Sequence, residues 1–230
     1  MGLMPDKMRL MTQDAIMDSA KTLNEQIRLR LRFKAASLPC VKYKTYLLFG
    51  APGSGKGTQG HILGTIPGYF HCACGEVFRS LDLTSELGKV FLSYSSKGQF
   101  VPDEITVQLW HRQIQSMVTL GRFNPDTDSL VLDGIPRNEH QARMMDDYLN
   151  VVKVFHLSCK DRAKLAARLK RRALHDNRLD DANEDLIRKR LELYEKESKP
   201  VLEHYGKNKL DFIDANQSPL EVLREVLSNL

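Results

Sequence analysis

Tyr46-Leu-Leu-Phe-Gly50-Ala-Pro-Gly-Ser-Gly-Lys56-Gly-Thr-Gln59 is the most informative run in the chain. Tyr46 to Phe49 are apolar, and Gly50 to Gly57 hold four glycines in eight positions with Lys56 among them. An apolar run, then glycines, a lysine and a hydroxyl predicts a buried strand, a tight loop and a helix start. Glycine permits positive φ and close approach of backbone to an anion. The N–H groups of the loop then face that anion, and the positive end of the helix dipole adds to the attraction. Lys56 supplies a mobile point charge for the outer phosphates of a nucleotide. Gly50, Gly55 and Lys56 fit the spacing G-x-x-x-x-G-K-[ST], but position 57 is glycine and the hydroxyl, Thr58, comes one residue late. A generic P-loop puts that hydroxyl on Mg²⁺. Its displacement leaves the metal to phosphates, water and a distant carboxylate. A glycine-rich turn without ligand is the plain alternative, and Lys56 argues against it.

The 230 residues allow one good-sized core and two small mobile pieces. Hydrophobic content of 42% and charged content of 27% are those of an ordinary soluble globular chain. No apolar run approaches the roughly 18 residues of a membrane span. The formal net charge of +5 suits polyanionic small ligands and is too mild to argue for nucleic acid. Cys40, Cys72, Cys74 and Cys159 form no disulfide framework, so free thiols in a reducing cytoplasm are expected. Cys72-x-Cys74 is not a zinc spacing, and no zinc is expected.

Residues 1–43 are read as an N-terminal helical extension and linker. Ile16, Ala20, Leu23, Ile27 and Leu31 recur at helical spacing, and the linker lies around Pro39. The extension is either a helix packed on the main domain or an arm for a partner or for self-association. Residues 44–230 are the main domain. Tyr69 to Ala73, Leu130 to Asp133, Val151 to Leu157 and Leu210 to Ala215 read as further buried strands, which makes five. Residues 81–97 are helical in pattern with Gly88 as a weak point, and Pro102 starts a helix with Asp103 as its expected cap. Asp181-Ala-Asn-Glu184 reads as a capping box opening a long helix. Strands alternating with helices imply a three-layer α/β fold around a five-stranded parallel sheet. Arg79 lies where an α/β sheet meets ligands, at a strand's carboxyl end. Asp133, a carboxylate closing an apolar strand beside the loop, suits Mg²⁺ held through water. The basic stretch from Arg168 to Arg178 has a plain reading as a solvated helix end.

The string Gly-Ala-Pro-Gly-Ser-Gly-Lys-Gly-Thr-Gln closely resembles the loop of adenylate kinases and their nucleoside monophosphate kinase relatives. Six further segments follow in the family's order. Ala73-Cys-Gly-Glu-x-x-Arg79 is similar to Ser-Thr-Gly-Asp-x-x-Arg, with Gly75 and Arg79 kept. Gly98-Gln-Phe-Val-Pro-Asp-Glu104 resembles a segment lining the adenine of AMP, and Asp133-Gly-Ile-Pro-Arg-x-x-x-Gln141 resembles Asp-Gly-Phe-Pro-Arg-x-x-x-Gln. Arg172 and Arg178, with five residues between them, match the arginine pair of the short-lid form. Arg190-Leu-Glu-Leu-Tyr194 and Lys199-Pro-Val-Leu-x-x-Tyr205 continue the resemblance, which covers about residues 44–230.

The resemblance implies an NMP-binding flap at about 73–102, a short lid at about 172–181, and reversible phosphoryl transfer from Mg-ATP to AMP giving two ADP. It implies an ATP site at Gly53, Ser54, Gly55, Lys56, Gly57, Thr58, Arg172 and Gln217. The AMP site is implied at Cys74, Arg79, Gln99, Phe100, Val101, Gly134, Ile135, Pro136, Arg137, Gln141, Arg178 and Arg190. Lys56, Arg137, Arg172, Arg178 and Arg190 are the implied catalytic residues, and Asp133 the implied metal residue. The interval from Arg178 to Arg190 is one residue longer than the common form, so Arg188 competes with Arg190 for the last arginine role. Cys74 stands where adenylate kinases carry Thr and UMP/CMP kinases Ala, whereas Gln141 favours AMP. Alkylation of Cys74 is accordingly expected to inhibit, with AMP protecting. A UMP/CMP kinase and a non-catalytic nucleotide sensor or scaffold are the alternatives. The chain is expected to be a cytoplasmic monomer that acts on ATP, AMP and ADP and binds neither nucleic acid nor membrane.

Overall fold

The computed structural model describes residues 42–97, 99–176, 181 and 183–230, with the side chains of 175 and 176 outside that description. The chain divides into two units, Met1–Pro39 and Cys40–Leu230. The extension expected at 1–43 falls outside the described residues except for its last two positions. Tyr43 is already in the first strand and not in a linker.

The five strands are β1 (Tyr43–Phe49), β2 (Tyr69–Ala73), β3 (Ser129–Asp133), β4 (Leu149–Ser158) and β5 (Leu210–Asp214). They form one parallel sheet in the order β2-β3-β1-β4-β5. Parallel neighbours need crossovers, and helices supply them. The helices are α1 (Lys56–Leu63), α2 (Cys74–Arg79), α3 (Glu86–Ser95), α4 (Asp103–Thr119), α5 (Glu139–Met145), α6 (Arg162–Asp176), α7 (Glu184–Leu193), α8 (Val201–Tyr205) and α9 (Pro219–Leu227). A π-helical turn, Tyr194–Ser198, follows α7.

The two-residue period of a strand explains why both faces of the sheet are apolar. Tyr46, Leu48, Val131, Phe155, Leu157 and Ile213 share one face with Leu63 of α1 and Val222 and Val226 of α9. The alternate residues Leu47, Leu130, Leu132 and Val154 are buried on the other face. Burial on both faces fixes register, because a one-residue slip would move every side chain to the wrong side. The register aligns Leu48 with Asp133 and Phe49 with His156, which brings the carboxyl ends of β1, β3 and β4 level.

Two local expectations are corrected. Residues 81–85 are a turn, and α3 starts at Glu86 with Ser85 as its cap, accepting from Gly88 N–H at 3.0 Å. Gly88 is no weak point: a Cβ there would meet Asp82 O at 2.0 Å and Leu83 Cα at 2.7 Å, so the turn packs directly on the glycine. Asp103 does not cap α4, whose first turn has no side-chain cap. Its carboxylate instead accepts from Asn138 Nδ2 at 2.9 Å and Gln141 Nε2 at 2.7 Å, and meets His140 Nδ1 at 2.9 Å.

Candidate active site

The carboxyl ends of the strands open into a cavity of about 890 Å³. Its floor is the glycine loop. Gly53 and Gly55 have φ of +82° and +100°, and a Cβ at Gly53 would lie 2.9 Å from Leu165 O. Substitution at Gly53 is therefore barred by both conformation and space. Gly55 is the N-cap of α1 and, having no side chain, offers no cap hydrogen bond. The first N–H groups of α1 are thus left for an anion.

Lys56 folds back over this loop, its Nζ donating to Gly50 O at 2.8 Å and Ala51 O at 3.1 Å. Burial pushes its pKa down to about 8; Asp133 opposes that shift, and Arg172, Arg137 and Arg190 reinforce it. A cation held among cations and poor in solvent is poised to gain from a polyphosphate. Asp133 ends β3, is 9% exposed and lines the same cavity. A Cβ on Gly57 would lie 3.7 Å from Asp133 Oδ2, so the loop passes directly over this carboxylate.

The arginines arrive from separate elements. Arg79 ends α2, Arg137 precedes α5, Arg172 lies on α6 and Arg190 on α7, and all four line the cavity. Arg137 donates through Nε to Gly134 O at 2.8 Å and its guanidinium lies 5.3 Å from the Phe100 ring centre. Arg172 donates through Nε to Asp181 Oδ2 at 2.7 Å, and Arg190 Nη1 donates to Asp181 Oδ1. Asp181 is fully buried. It is therefore not the cap of α7. Asn183 fills that place, its Oδ1 accepting from Asp185 N–H at 2.8 Å. A carboxylate flanked by arginines is worth more as their shared partner than as a helix cap. Arg188 is 68% exposed and paired with Asp185, whereas Arg190 faces the cavity.

A second hollow of about 80 Å³ opens beside the first and shares Arg79, Phe100, Arg137 and Arg190 with it. Gln99, Val101 and Gln141 line it. Gln141 is fully buried, and its amide is engaged on both sides: Oε1 accepts from Arg137 N–H at 2.8 Å and Nε2 donates to Asp103. Cys74 lines neither hollow, although its neighbours Ala73 and Gly75 line the large one. The thiol is 1% exposed, and burial pushes its pKa up to about 11, with Asp133 adding and Arg137 and Arg79 opposing. The expected ready alkylation of Cys74 is corrected on that ground: the thiolate is the nucleophile, and it is both disfavoured and covered.

Gly53, Ser54, Gly55, Gly57, Thr58 and Gln217 line the large cavity, and so do Gly134, Ile135 and Pro136, which do not line the small hollow. Gln217 Nε2 is tied to Glu225 at 2.7 Å. Arg178 and the centre of the expected lid lie outside the described residues. Sequence reading missed Lys164, Arg168 and Arg171, which also line the cavity. Arg168 Nη1 reaches Gly53 O at 3.5 Å and Lys164 Nζ donates to Asn216 O at 3.0 Å. The signal was present: 168 lies four residues after 164, and 171 and 172 lie three and four after 168, so the four share one side of the helix.

Among the described residues no group of three or more His, Cys, Asp or Glu could hold a metal, so neither a zinc site nor an all-protein cage occurs there. A single carboxylate, Asp133, beside a loop that can hold a polyphosphate fits Mg²⁺, which keeps several waters and rides on phosphates. Among the described residues no helix is long and apolar enough to cross a membrane.

Comparison with known proteins agrees with this arrangement. A family model described as adenylate kinase matches residues 48–210. The chain is 31% identical over 194 residues to the adenylate kinase of Flavobacterium psychrophilum, covering 80% of this chain and 98% of that protein. It is 33% identical over 190 residues to that of Azobacteroides pseudotrichonymphae, covering 80% and 95%. It is 35% identical over 165 residues to that of Porphyromonas gingivalis, covering 69% and 80%.

Proposed function

Because the chain belongs to the adenylate kinase family, we propose that its large cavity takes Mg-ATP over the glycine loop and AMP at the side that runs into the adjoining hollow, end to end for in-line transfer. The chain is an enzyme, and its reaction is phosphoryl transfer between ATP and AMP. The observation that carries the site assignment is the convergence of Lys56, Arg137, Arg172 and Arg190 on one cavity over Asp133.

The loop N–H groups and Lys56 hold the ATP phosphates. Asp133 is the residue that would hold Mg²⁺, through water, and the ion would supply charge neutralisation on the ATP phosphates. Arg79 and Arg137 hold the AMP phosphate, and Gln99, Phe100, Val101 and Gln141 surround its base. Arg172, Arg178 and Arg190 spread the charge of the moving phosphoryl group. Such a transfer needs positioning and charge stabilisation more than covalent chemistry, so no phospho-enzyme forms. The flap at about 73–102 and the short lid at about 172–181 exclude water from the reacting groups. In this reading the chain is a cytoplasmic monomer that binds small nucleotides and no nucleic acid. Among the described residues no feature of the site favours a pyrimidine acceptor or a sensor without turnover.

The test is Arg137→Ala, assayed by coupled ADP formation against AMP, CMP and UMP. The expected result is AMP as the preferred acceptor of the unaltered enzyme and a loss in kcat/KM on the order of 10²-fold in the variant, with the fold intact. Near-normal activity of the variant would overturn the role of Arg137, and faster turnover with CMP or UMP would overturn the base assignment.

A further inference from the structure

His156 has no part in the chemistry above, yet it is a histidine 5% exposed in the middle of the sheet. It lies on β4 in register with Phe49 and Phe212, and those two rings stand edge-on to it at 6.2 and 5.2 Å. Its Nε2 lies 2.9 Å from the Tyr194 hydroxyl, and its Nδ1 is buried without a partner. Burial, with Lys199 and Lys56 adding, pushes its pKa down to about 4, so the ring is neutral at physiological pH. Tyr194 lines the large cavity, and its hydroxyl meets the buried His156 ring in the sheet.

A phenylalanine at 194 beside an apolar residue at 156 would fill this space among aromatic rings. The polar pair that stands there leaves one ring nitrogen unsatisfied, which costs stability. What the pair provides is direction. Tyr194 follows α7 directly, and its N–H donates to Arg190 O. Residues four apart lie on one helix face, so the side chains of Arg190 and Tyr194 project from the same side of the same turn. The π-helical turn that begins at Tyr194 is closed by Lys199 N–H on Tyr194 O at 2.9 Å and brings Ser198 to the cavity as well.

We propose that the His156–Tyr194 hydrogen bond is a strut that fixes the rotation of the last turn of α7 and so aims Arg190 at the transferring phosphoryl group. Asp181 restrains the Arg190 guanidinium from one end, and the strut restrains its backbone from the other. Tyr194 and His156 are then positioning residues that act through Arg190. The proposal rests on the role given to Arg190 above.

The experiment uses the full chain and measures kcat and both KM values for Tyr194→Phe, His156→Gln, His156→Leu, Arg190→Ala and the double variant of Tyr194→Phe with Arg190→Ala. Tyr194→Phe removes one oxygen and keeps the packed ring, and circular dichroism checks that each variant is folded. The strut predicts that Tyr194→Phe and His156→Leu lower kcat about five- to twentyfold with both KM values little changed, because a misaimed arginine is felt at the transition state. His156→Gln, which keeps an amide able to meet the hydroxyl, restores most of that loss. In the Arg190→Ala background Tyr194→Phe has no further effect on kcat. A tyrosine that only stabilises the fold would lower Tm and leave kcat alone, or multiply its full factor into that background. Either result overturns the strut. Arg190→Ala with unaltered kcat would overturn the role of Arg190 itself, and the strut with it.

Discussion

Asp181→Asn is the perturbation whose outcome follows most directly from the geometry. Asp181 is fully buried and receives Arg172 and Arg190, whose side chains are 31% and 23% exposed. The asparagine has the same shape but no charge, and it turns an amide N–H toward one guanidinium. Removing one partner of a buried ion pair costs about 3–5 kcal/mol. Here both arginines reach water, which screens part of their repulsion, so the cost comes to about 2–3 kcal/mol. A domain of this size loses about 2–4 °C per kcal/mol, which puts the fall in Tm at about 5–10 °C. The catalytic effect is separate. Both arginines lose the negative charge that helps hold them over the cavity, one of them loses its acceptor as well, and a displacement of about 1 Å costs up to about 10²-fold in rate. The variant is therefore expected to show kcat lower by about 10- to 100-fold. KM for ATP should not rise, because a negative charge has been taken from a site for a polyanion. Thermal melting by circular dichroism and steady-state ADP formation read the two effects independently. A melting temperature within about 2 °C of the unaltered enzyme, together with kcat within about twofold, would refute the reasoning.

Lys56 carries a pH dependence: its pKa of about 8 in the folded protein means that kcat/KM for ATP should decline as pH rises past that value, since only the protonated amine attracts phosphate. The same shift lies below the ordinary value of 10.5, so between about 8 and 10.5 the folded protein binds fewer protons than the unfolded one and this group favours folding more as pH rises; a flat kcat/KM profile to pH 10 would count against the burial of Lys56. Gly88→Ala drives a methyl into the backbone of Asp82 and Leu83, so it should cost about 1–3 kcal/mol and raise KM for AMP several-fold while KM for ATP stays put; equal changes in both constants would contradict a separate acceptor flap. Brief treatment with iodoacetamide at neutral pH should leave Cys74 unmodified by peptide mass mapping, while the half-buried Cys159 reacts first among the described cysteines; AMP-protected labelling of Cys74 would show that the thiol is open to the site.

Local chemistry was legible in the sequence wherever one short segment carries the whole signal. The run from Tyr46 to Gln59 contains its own strand, turn and helix start, because strand period, glycine conformation and helix dipole act over a few residues. Asp133-Gly-Ile-Pro-Arg137 and Arg79 were readable for the same reason, each standing within a few residues of a strand's end. Five strands and their parallel arrangement followed from apolar runs too far apart for hairpins. Lys164, Arg168 and Arg171 show a signal present but unused, since helical spacing alone does not say which face of α6 turns to the cavity.

What only the tertiary structure decided depends on distances between segments far apart in the chain. Asp181 looks like a helix cap in sequence because a cap is a local pattern, and it became the partner of Arg172 and Arg190 once α6 and α7 came together. Gly88 reads as a helix weakness and is instead the only residue small enough to let the turn at Asp82 pack against it. Cys74 sits in a motif that touches nucleotide in the family, yet its side chain is buried and lines neither hollow. His156 reads as one more residue of an apolar strand, and its bond to Tyr194 joins positions 38 residues apart. Sequence alone determined which residues can meet phosphate, because charge and backbone freedom belong to the residue. The fold determined which of them do, because burial and pairing belong to the space between elements.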